Sequence, residues 1–122
     1  MSAPAVRKIS ETILDFGEPL ISQLDPSQTK ETVHRIFEIV IMVWNAHVLA
    51  TPRWSQPQFL ADLQVRLLDP RMPPEMIEAH RVLADRRAKL FAKDLRAVGE
   101  WSVYHDGGEW RLRCDARAPQ PS

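Results

Sequence analysis

The sequence predicts a mainly α-helical protein with a small β element: a four-helix, bundle-like domain closed by a C-terminal antiparallel β-hairpin. Apolar residues recur at steps of three and four along four stretches of chain, as in amphipathic helices. Proline-bearing segments separate these stretches, and after about residue 97 the spacing falls to two, which is typical of a half-buried strand. We expect one domain over residues 1–122, with an ordered core at about 5–117, helices at about 5–24, 26–50, 56–69 and 74–93, and the hairpin at about 97–116.

The first predicted helix contains its own interruption. Pro19 lies inside the apolar stripe, two residues after Gly17. Because proline lacks the backbone N–H and clashes with the preceding turn, we expect a kink or a break near Asp15 to Glu18. The stripe itself consists of Val6, Ile9, Ile13, Phe16, Leu20 and Leu24.

The second predicted helix is the most apolar segment of the chain. Its start is predicted at Pro26, with Asp25 or Ser27 accepting hydrogen bonds from the free N–H groups of the first turn. From Ile36 to Trp44 it is apolar on nearly all sides. A helix without a wide polar face is normally central, or half core and half interface. We therefore expect this helix to be the centre of the domain.

The third and fourth helices are bounded by prolines. Ser55 is the predicted cap of the third helix, and Pro57 is tolerable in its first turn. Three prolines between residues 70 and 74 end that helix and precede the fourth. The apolar positions of the third helix are Phe59, Leu60, Leu63, Leu67 and Leu68, and those of the fourth are Ile77, His80, Leu83, Ala84, Leu90 and Phe91.

The hairpin is predicted from two alternating segments around an Asp-Gly-Gly turn. Asp-Gly favours the positive φ angles of a two-residue type I′ turn. With Asp106 and Gly107 in the turn, Val103 would face Trp110, and Trp101 would face Leu112. Moving the turn to Gly107–Gly108 changes these pairs but keeps all four side chains on one face. Because an isolated hairpin is marginal in water, this face must pack on the helices or on a partner.

Composition and charge favour a cytoplasmic protein that does not cross a membrane. Sixteen Lys and Arg balance sixteen Asp and Glu, so no overall field attracts nucleic acid or an anionic membrane. Cys114 is the only cysteine, and the longest apolar run is six residues, far short of the ~20 that span a bilayer. The N-terminal segment lacks an apolar stretch of signal-peptide length.

No residue set is predicted to be catalytic or metal-binding, and no cofactor is expected. Glu31 and His34 have the Glu-x-x-His spacing of di-iron bundles, but such sites need a second copy and two further Glu residues. Acidic residues in a first helical turn are explained by the helix dipole. His80 and Cys114 lie at apolar positions and are interpreted as core residues.

A polar cluster is the first candidate site. Its members flank the proline break, end the apolar second helix or follow the next turn: Asp15, Glu18, Asn45, His47 and Arg53. Polar groups this close to a core must find partners, which favours a structural network. The functional alternative is a small polar pocket.

A basic patch is the second candidate site. Between residues 81 and 96 it comprises Arg81, Arg86, Arg87, Lys89, Lys93 and Arg96, against two aspartates. Such a stripe could contact phosphates, with Tyr104 or Trp54 available for stacking. Basic residues near a helix C-terminus also complement its dipole without any ligand.

These patterns favour a non-catalytic protein-interaction or regulatory module, with homodimerisation as its simplest form. Tryptophan is enriched where interfaces concentrate their energy, and the chain contains four. The second helix also offers more apolar surface than one packing seam uses. The alternative is a nucleic-acid-associated regulator that uses the basic patch. A second alternative is an enzyme or small-ligand binder that uses the polar cluster.

Overall fold

The computed structural model describes residues 7–119, which form five helices and a two-stranded antiparallel sheet. The elements are α1 Ile9–Phe16, α2 Glu18–Ile21, α3 Lys30–Leu49, α4 Gln58–Leu67, α5 Pro74–Leu90, β1 Ala97–Asp106 and β2 Glu109–Arg117. The mainly helical class and the C-terminal hairpin are confirmed. Residues 5 and 6, assigned above to the first helix and to the ordered core, lie outside the described residues. Within 7–119 no helix is long and apolar enough to cross a membrane.

The expected break in the first helix lies at Gly17. The Gly17 N–H donates to the Ile13 carbonyl at 2.8 Å, and the chain then enters α2 with Pro19 in its first turn. A Cβ atom on Gly17 would lie 2.6 Å from Cγ1 of Val40 in α3. This glycine therefore allows the α1–α2 junction to pack directly on α3, a close approach that any side chain would obstruct.

The start of α3 differs from the prediction. Thr29, rather than Asp25 or Ser27, is the N-cap, and its hydroxyl accepts a hydrogen bond from the Thr32 N–H at 3.2 Å. The Asp25 carboxylate instead accepts from the Ser27 N–H at 2.8 Å, closing a separate turn before the helix. Asp side chains form such local turns in competition with helix caps, so the helix begins at Lys30 rather than residue 26.

The start of α4 also differs, whereas α5 begins at Pro74 as predicted. Ser55 does not cap α4, because its hydroxyl donates to the Pro52 carbonyl at 2.6 Å and its φ is 55°. Pro57 occupies the N-cap position. At the other end, α5 stops at Leu90, three residues earlier than predicted, since the chain leaves helical geometry at Phe91.

The core is organised around α3, as the sequence predicts. This helix contacts α1, α2, α4, α5 and β1, while α1 also contacts β2. Phe16 and Phe91 pack edge-on against Trp44 at ring-centroid distances of 5.1 and 5.8 Å. The largest fully buried side chains are Trp44, Phe16, Phe37, Ile13, Leu83, Val33, Val40, Val43 and Val48. The hairpin is therefore packed on helices rather than left isolated.

The hairpin has the expected faces but a different register. Gly107 and Gly108 form the turn, with φ angles of +58° and +83°, so the pairing with Asp106 in the turn is wrong. Val103 pairs with Leu112, Trp101 with Cys114, and His105 with Trp110. The register shifts between Val98 and Trp101, as in a β-bulge. Val103 and Leu112 remain buried on the predicted inner face.

Candidate interaction surface

Helix α4 presents an apolar face to solvent. It packs mainly on α3, with Leu63 buried and Leu60 and Leu67 against the core. The side chains of Leu68 and Val65 are the most exposed large apolar groups in the described chain, at 82% and 68%. Together with the exposed Ala61 they repeat at steps of four and three, which is one face of a helix. We call Ala61, Val65 and Leu68, the last of which is the C-cap of α4, the outer stripe.

This face was not foreseen from the sequence. Phe59 and Leu68 are among the apolar positions that predict this helix, but Phe59 is 47% exposed and Leu68 is turned to solvent. This ten-residue helix has apolar side chains on two faces, and periodicity alone does not decide which face is buried. Val65 lies off the face formed by Leu60, Leu63 and Leu67, and an apolar residue at that position indicates a second apolar face.

A groove beside the outer stripe extends the apolar surface onto α3. Its volume is about 340 Å³. Met42, 37% exposed, is the one apolar residue between Ile36 and Trp44 that is exposed. Helix α3 is thus mainly buried in the core, and only a small apolar area around Met42 is exposed at this groove. The groove is lined by Met42, Asn45, Ala46, Leu49, Phe59, Asp62, Leu63 and Arg66.

The two charged residues of α4 stand on one flank of the outer stripe. Asp62 and Arg66 are exposed and one helical turn apart. Neither side chain has an ion-pair or hydrogen-bond partner among residues 7–119. The Asp62 carboxylate and the Arg66 guanidinium are therefore available to a partner.

None of the four tryptophans is exposed. Trp44 is fully buried, and the other three are partly buried. The indole N–H of Trp44 donates to the Arg96 carbonyl at 2.8 Å, and that of Trp54 donates to the Leu95 carbonyl at 2.7 Å. These two hydrogen bonds hold the connection between α5 and β1 against the helices, which is a structural role.

Asn45, a member of the predicted polar cluster, anchors the first strand. Its Oδ1 accepts from the Val98 N–H at 2.8 Å, and its Nδ2 donates to the Val98 carbonyl at 3.0 Å. Val98 is buried, and the ladder to Trp101 is interrupted next to it. One amide side chain therefore satisfies both backbone groups of a buried residue.

The five residues of the polar cluster are not brought together. Asp15 is on the surface, where it pairs with Arg7 at 3.1 Å and with Arg86 at 3.7 Å. Glu18 and Arg53 are exposed, and neither has a side-chain hydrogen bond or ion pair among residues 7–119. Asn45 and His47 are committed to different neighbours. Among residues 7–119, no hydrogen bond or ion pair joins any two of these five side chains.

His47 faces His80 across the contact between α3 and α5. Their Nε2 atoms are 3.5 Å apart. Burial lowers the pKa of His47 to about 4, and the positive charges of His80 and Arg87 act in the same direction. Burial also lowers the pKa of His80. Both rings are thus neutral at pH 7. Within the described residues, no group of three or more His, Cys, Asp or Glu side chains could hold a metal ion.

The Glu31–His34 pair does not form a ligand set either. His34 contacts Glu38 one turn later at 3.6 Å, and its ring stacks on Trp101 at a centroid distance of 4.6 Å. This stacking joins the first half of α3 to the inner face of the hairpin.

The basic patch is largely occupied by contacts within the chain. Arg87 is buried, lies 4.5 Å above the Trp44 ring and donates to the carbonyls of Phe91 and Asp94. Arg86 donates to the carbonyls of Phe16 and Asp15, at 3.0 and 2.7 Å. These two arginines join α5 to its neighbours rather than facing solvent.

The other four basic residues are on or near the surface. Arg81 pairs with Glu78 at 2.6 Å, Lys89 with Asp85 at 3.2 Å and Arg96 with Asp94 at 2.6 Å. Lys93 has no ion-pair partner within residues 7–119. Lys89, Lys93 and Arg96 line one groove of about 670 Å³ together with Arg7, Asp15 and Asp94.

Cys114 lies half-buried on the inner face of the hairpin. Burial raises the pKa of its thiol to about 11, with the neighbouring Asp115 carboxylate acting in the same direction. The thiol is therefore protonated at neutral pH and is a poor nucleophile.

Comparisons with protein-family models, with curated proteins and with solved structures find no match to this chain.

Proposed function

We propose that this protein is a non-catalytic protein-interaction module that self-associates as a homodimer through the outer stripe of α4. The observation that carries the proposal is the exposure of Leu68 and Val65, 82% and 68%, on one helix face. Burial of such side chains is the main driving force of association. Contiguous apolar patches on a protein surface commonly mark interaction sites.

The size of the surface predicts a weak dimer. A ten-residue helix is about 15 Å long, and a standard interface buries about 800 Å² on each partner. Met42 and Phe59 enlarge the contact beyond the stripe, because both line the adjoining groove. We expect a dissociation constant on the order of micromolar.

Sedimentation equilibrium tests the dimer. Over concentrations from about 1 to about 500 µM, the apparent mass should rise from 14.0 kDa towards twice that value. Leu68→Ser should shift the curve to higher concentration. The matched control is Leu90→Ser, which removes a similar 64%-exposed leucine from α5 and should leave association unchanged. A single 14.0 kDa species throughout, or equal effects of the two variants, would overturn the proposal.

The proposal includes a cytoplasmic location and a bundle-like packing of the helices. Reduced Cys114 without an intrachain partner supports the first. The contacts of α3 with α1, α2, α4 and α5 support the second. A fluorescent fusion that appears outside the cytoplasm would contradict the location.

Binding of a nucleic-acid backbone is the second candidate function. It is favoured by the convergence of Arg7, Lys89, Lys93 and Arg96 on one groove. Asp15 and Asp94 in the same groove oppose it by neutralising part of this charge. Anisotropy of labelled DNA and RNA at low salt tests the idea. Binding should weaken steeply as salt rises and on Lys93→Glu, whereas no binding at low salt would exclude it.

A further inference from the structure

We propose that the two copies of the dimer pack with their α4 helices antiparallel, so that Asp62 of each copy forms an ion pair with the partner subunit's Arg66. This inference rests on the proposed self-association and specifies its geometry. The two-fold axis would pass near Gln64 and Val65, at the middle of the outer stripe. Residues of one copy then contact residues of the other reciprocally, as in an isologous interface.

The placement of charge on α4 supports this orientation. At 100° per residue, the outer stripe spans an arc of about 60°. Asp62 and Arg66 lie about 40° apart and on the same side of it. They are the only charged residues of the helix, and the opposite flank contains Gln64, Leu60 and Leu67.

The two alternative orientations differ in how these charges meet. In an antiparallel pair, each flank of one helix lies beside the same flank of its partner, so Asp62 and the partner subunit's Arg66 come together twice. In a parallel pair, the charged flank would lie against the uncharged one and no ion pair would form. Complementary charge therefore favours the antiparallel arrangement and sets its register.

The register also agrees with the apolar contacts. Pairing Ala61 with the partner's Leu68 centres the axis between Gln64 and Val65. Pairing Asp62 with the partner's Arg66 centres it on Gln64, half a residue away. The difference in register amounts to about 1.5 Å along the helix, which a long arginine side chain can span. The outer stripe and the Asp62–Arg66 pairs are thus compatible with one register of the two helices.

Charge reversal tests the pairing with a result that simple destabilisation would not produce. Asp62→Arg and Arg66→Asp each turn both attractive pairs of the homodimer into repulsive ones, and each should weaken dimerisation about 10-fold. An equal mixture of the two variants should recover the affinity of the parent, because both pairs become attractive in the heterodimer. The double variant D62R/R66D should also recover it.

Asp85→Arg, which reverses an exposed charge on α5 outside the proposed contact, is the control and should have a small effect on dimerisation. Circular dichroism would verify that each variant keeps its helical content. Raising the salt concentration should weaken the parent dimer, because the two ion pairs are exposed and salt screens them.

The outcomes separate this inference from the proposed function. If Leu68→Ser disrupts the dimer while charge reversal has no effect, self-association stands and the antiparallel pairing is overturned. Reversal that weakens the dimer without recovery in the mixture also overturns the reciprocal pairing. A parent protein that stays monomeric overturns both.

Discussion

Replacing Asn45 by alanine should destabilise the protein more than any loss of a surface contact. The amide of Asn45 makes two hydrogen bonds to the backbone of Val98, at 2.8 and 3.0 Å. Val98 is 5% exposed, so solvent does not readily replace the amide. Alanine would leave one buried N–H and one buried carbonyl without partners.

The expected loss follows from the cost of these two groups. An unsatisfied buried donor or acceptor costs about 1–3 kcal/mol, so both together should lower the free energy of unfolding by about 2–6 kcal/mol. A domain of this size is stable by about 5–15 kcal/mol in total. The substitution should therefore remove a large share of the stability and loosen the start of β1.

Urea denaturation followed by tryptophan fluorescence and circular dichroism measures this loss. Gln23→Ala is a matched control, because the Gln23 amide donates to the Pro19 carbonyl at 3.0 Å on an exposed turn. Water can replace that bond, so the control should change stability by less than about 0.5 kcal/mol. If Asn45→Ala unfolds within about 0.5 kcal/mol of the parent, Asn45 does not hold the hairpin as described.

Three further predictions concern packing, pH and thiol chemistry. Gly17→Ala should destabilise by about 1–3 kcal/mol because its Cβ would meet Val40 at 2.6 Å. Gly99→Ala, where the nearest atoms belong to the flexible Arg117 side chain, should destabilise the protein less. Thermal unfolding of both variants measures the difference, and equal destabilisation would contradict the close approach of Gly17 to α3. The folded-state pKa of His47, about 4, lies below its unfolded value of 6.5, so the unfolded chain takes up the proton first on acidification. The free energy of unfolding should therefore fall as pH drops through this range, by about 1–2 kcal/mol between pH 7 and pH 5 after allowance for partial exposure. His47→Leu should flatten the dependence, and an unchanged slope in urea titrations at both pH values would count against this assignment. Cys114 should react slowly with a disulfide reagent at pH 8 and much faster in urea, whereas fast reaction of the native protein would show that the thiol is not protected.

The features of the helices and strands that the sequence predicts correctly depend on interactions between near neighbours in the chain. Pro19 and Gly17 predict the break after Phe16, because a missing N–H and a missing Cβ act within one helical turn. The two faces of the hairpin follow from alternation, which survives a shift of the turn by one residue. The start of α5 at Pro74 is likewise a local effect of proline geometry.

Competing local options explain the errors. Asp25 and Ser55 are both good capping residues, but each makes a hydrogen bond within its own turn instead. The turn residues Gly107 and Gly108 were preferred over Asp106 and Gly107 because both positions need positive φ, which glycine adopts without strain. For the two capping residues, nothing in the sequence shows which of the two hydrogen bonds forms.

The sequence by itself determined the order, type and approximate limits of the helices and strands, because these depend on hydrogen bonds and steric effects between near neighbours. Only the tertiary structure decided which apolar face of α4 is left exposed, that Arg87 lies over Trp44, and that His47 meets His80. The two side-chain contacts join residues 43 and 33 positions apart, and the exposed face of α4 depends on which side of the helix its neighbour covers. They follow from how all the elements share one core, which no local pattern contains.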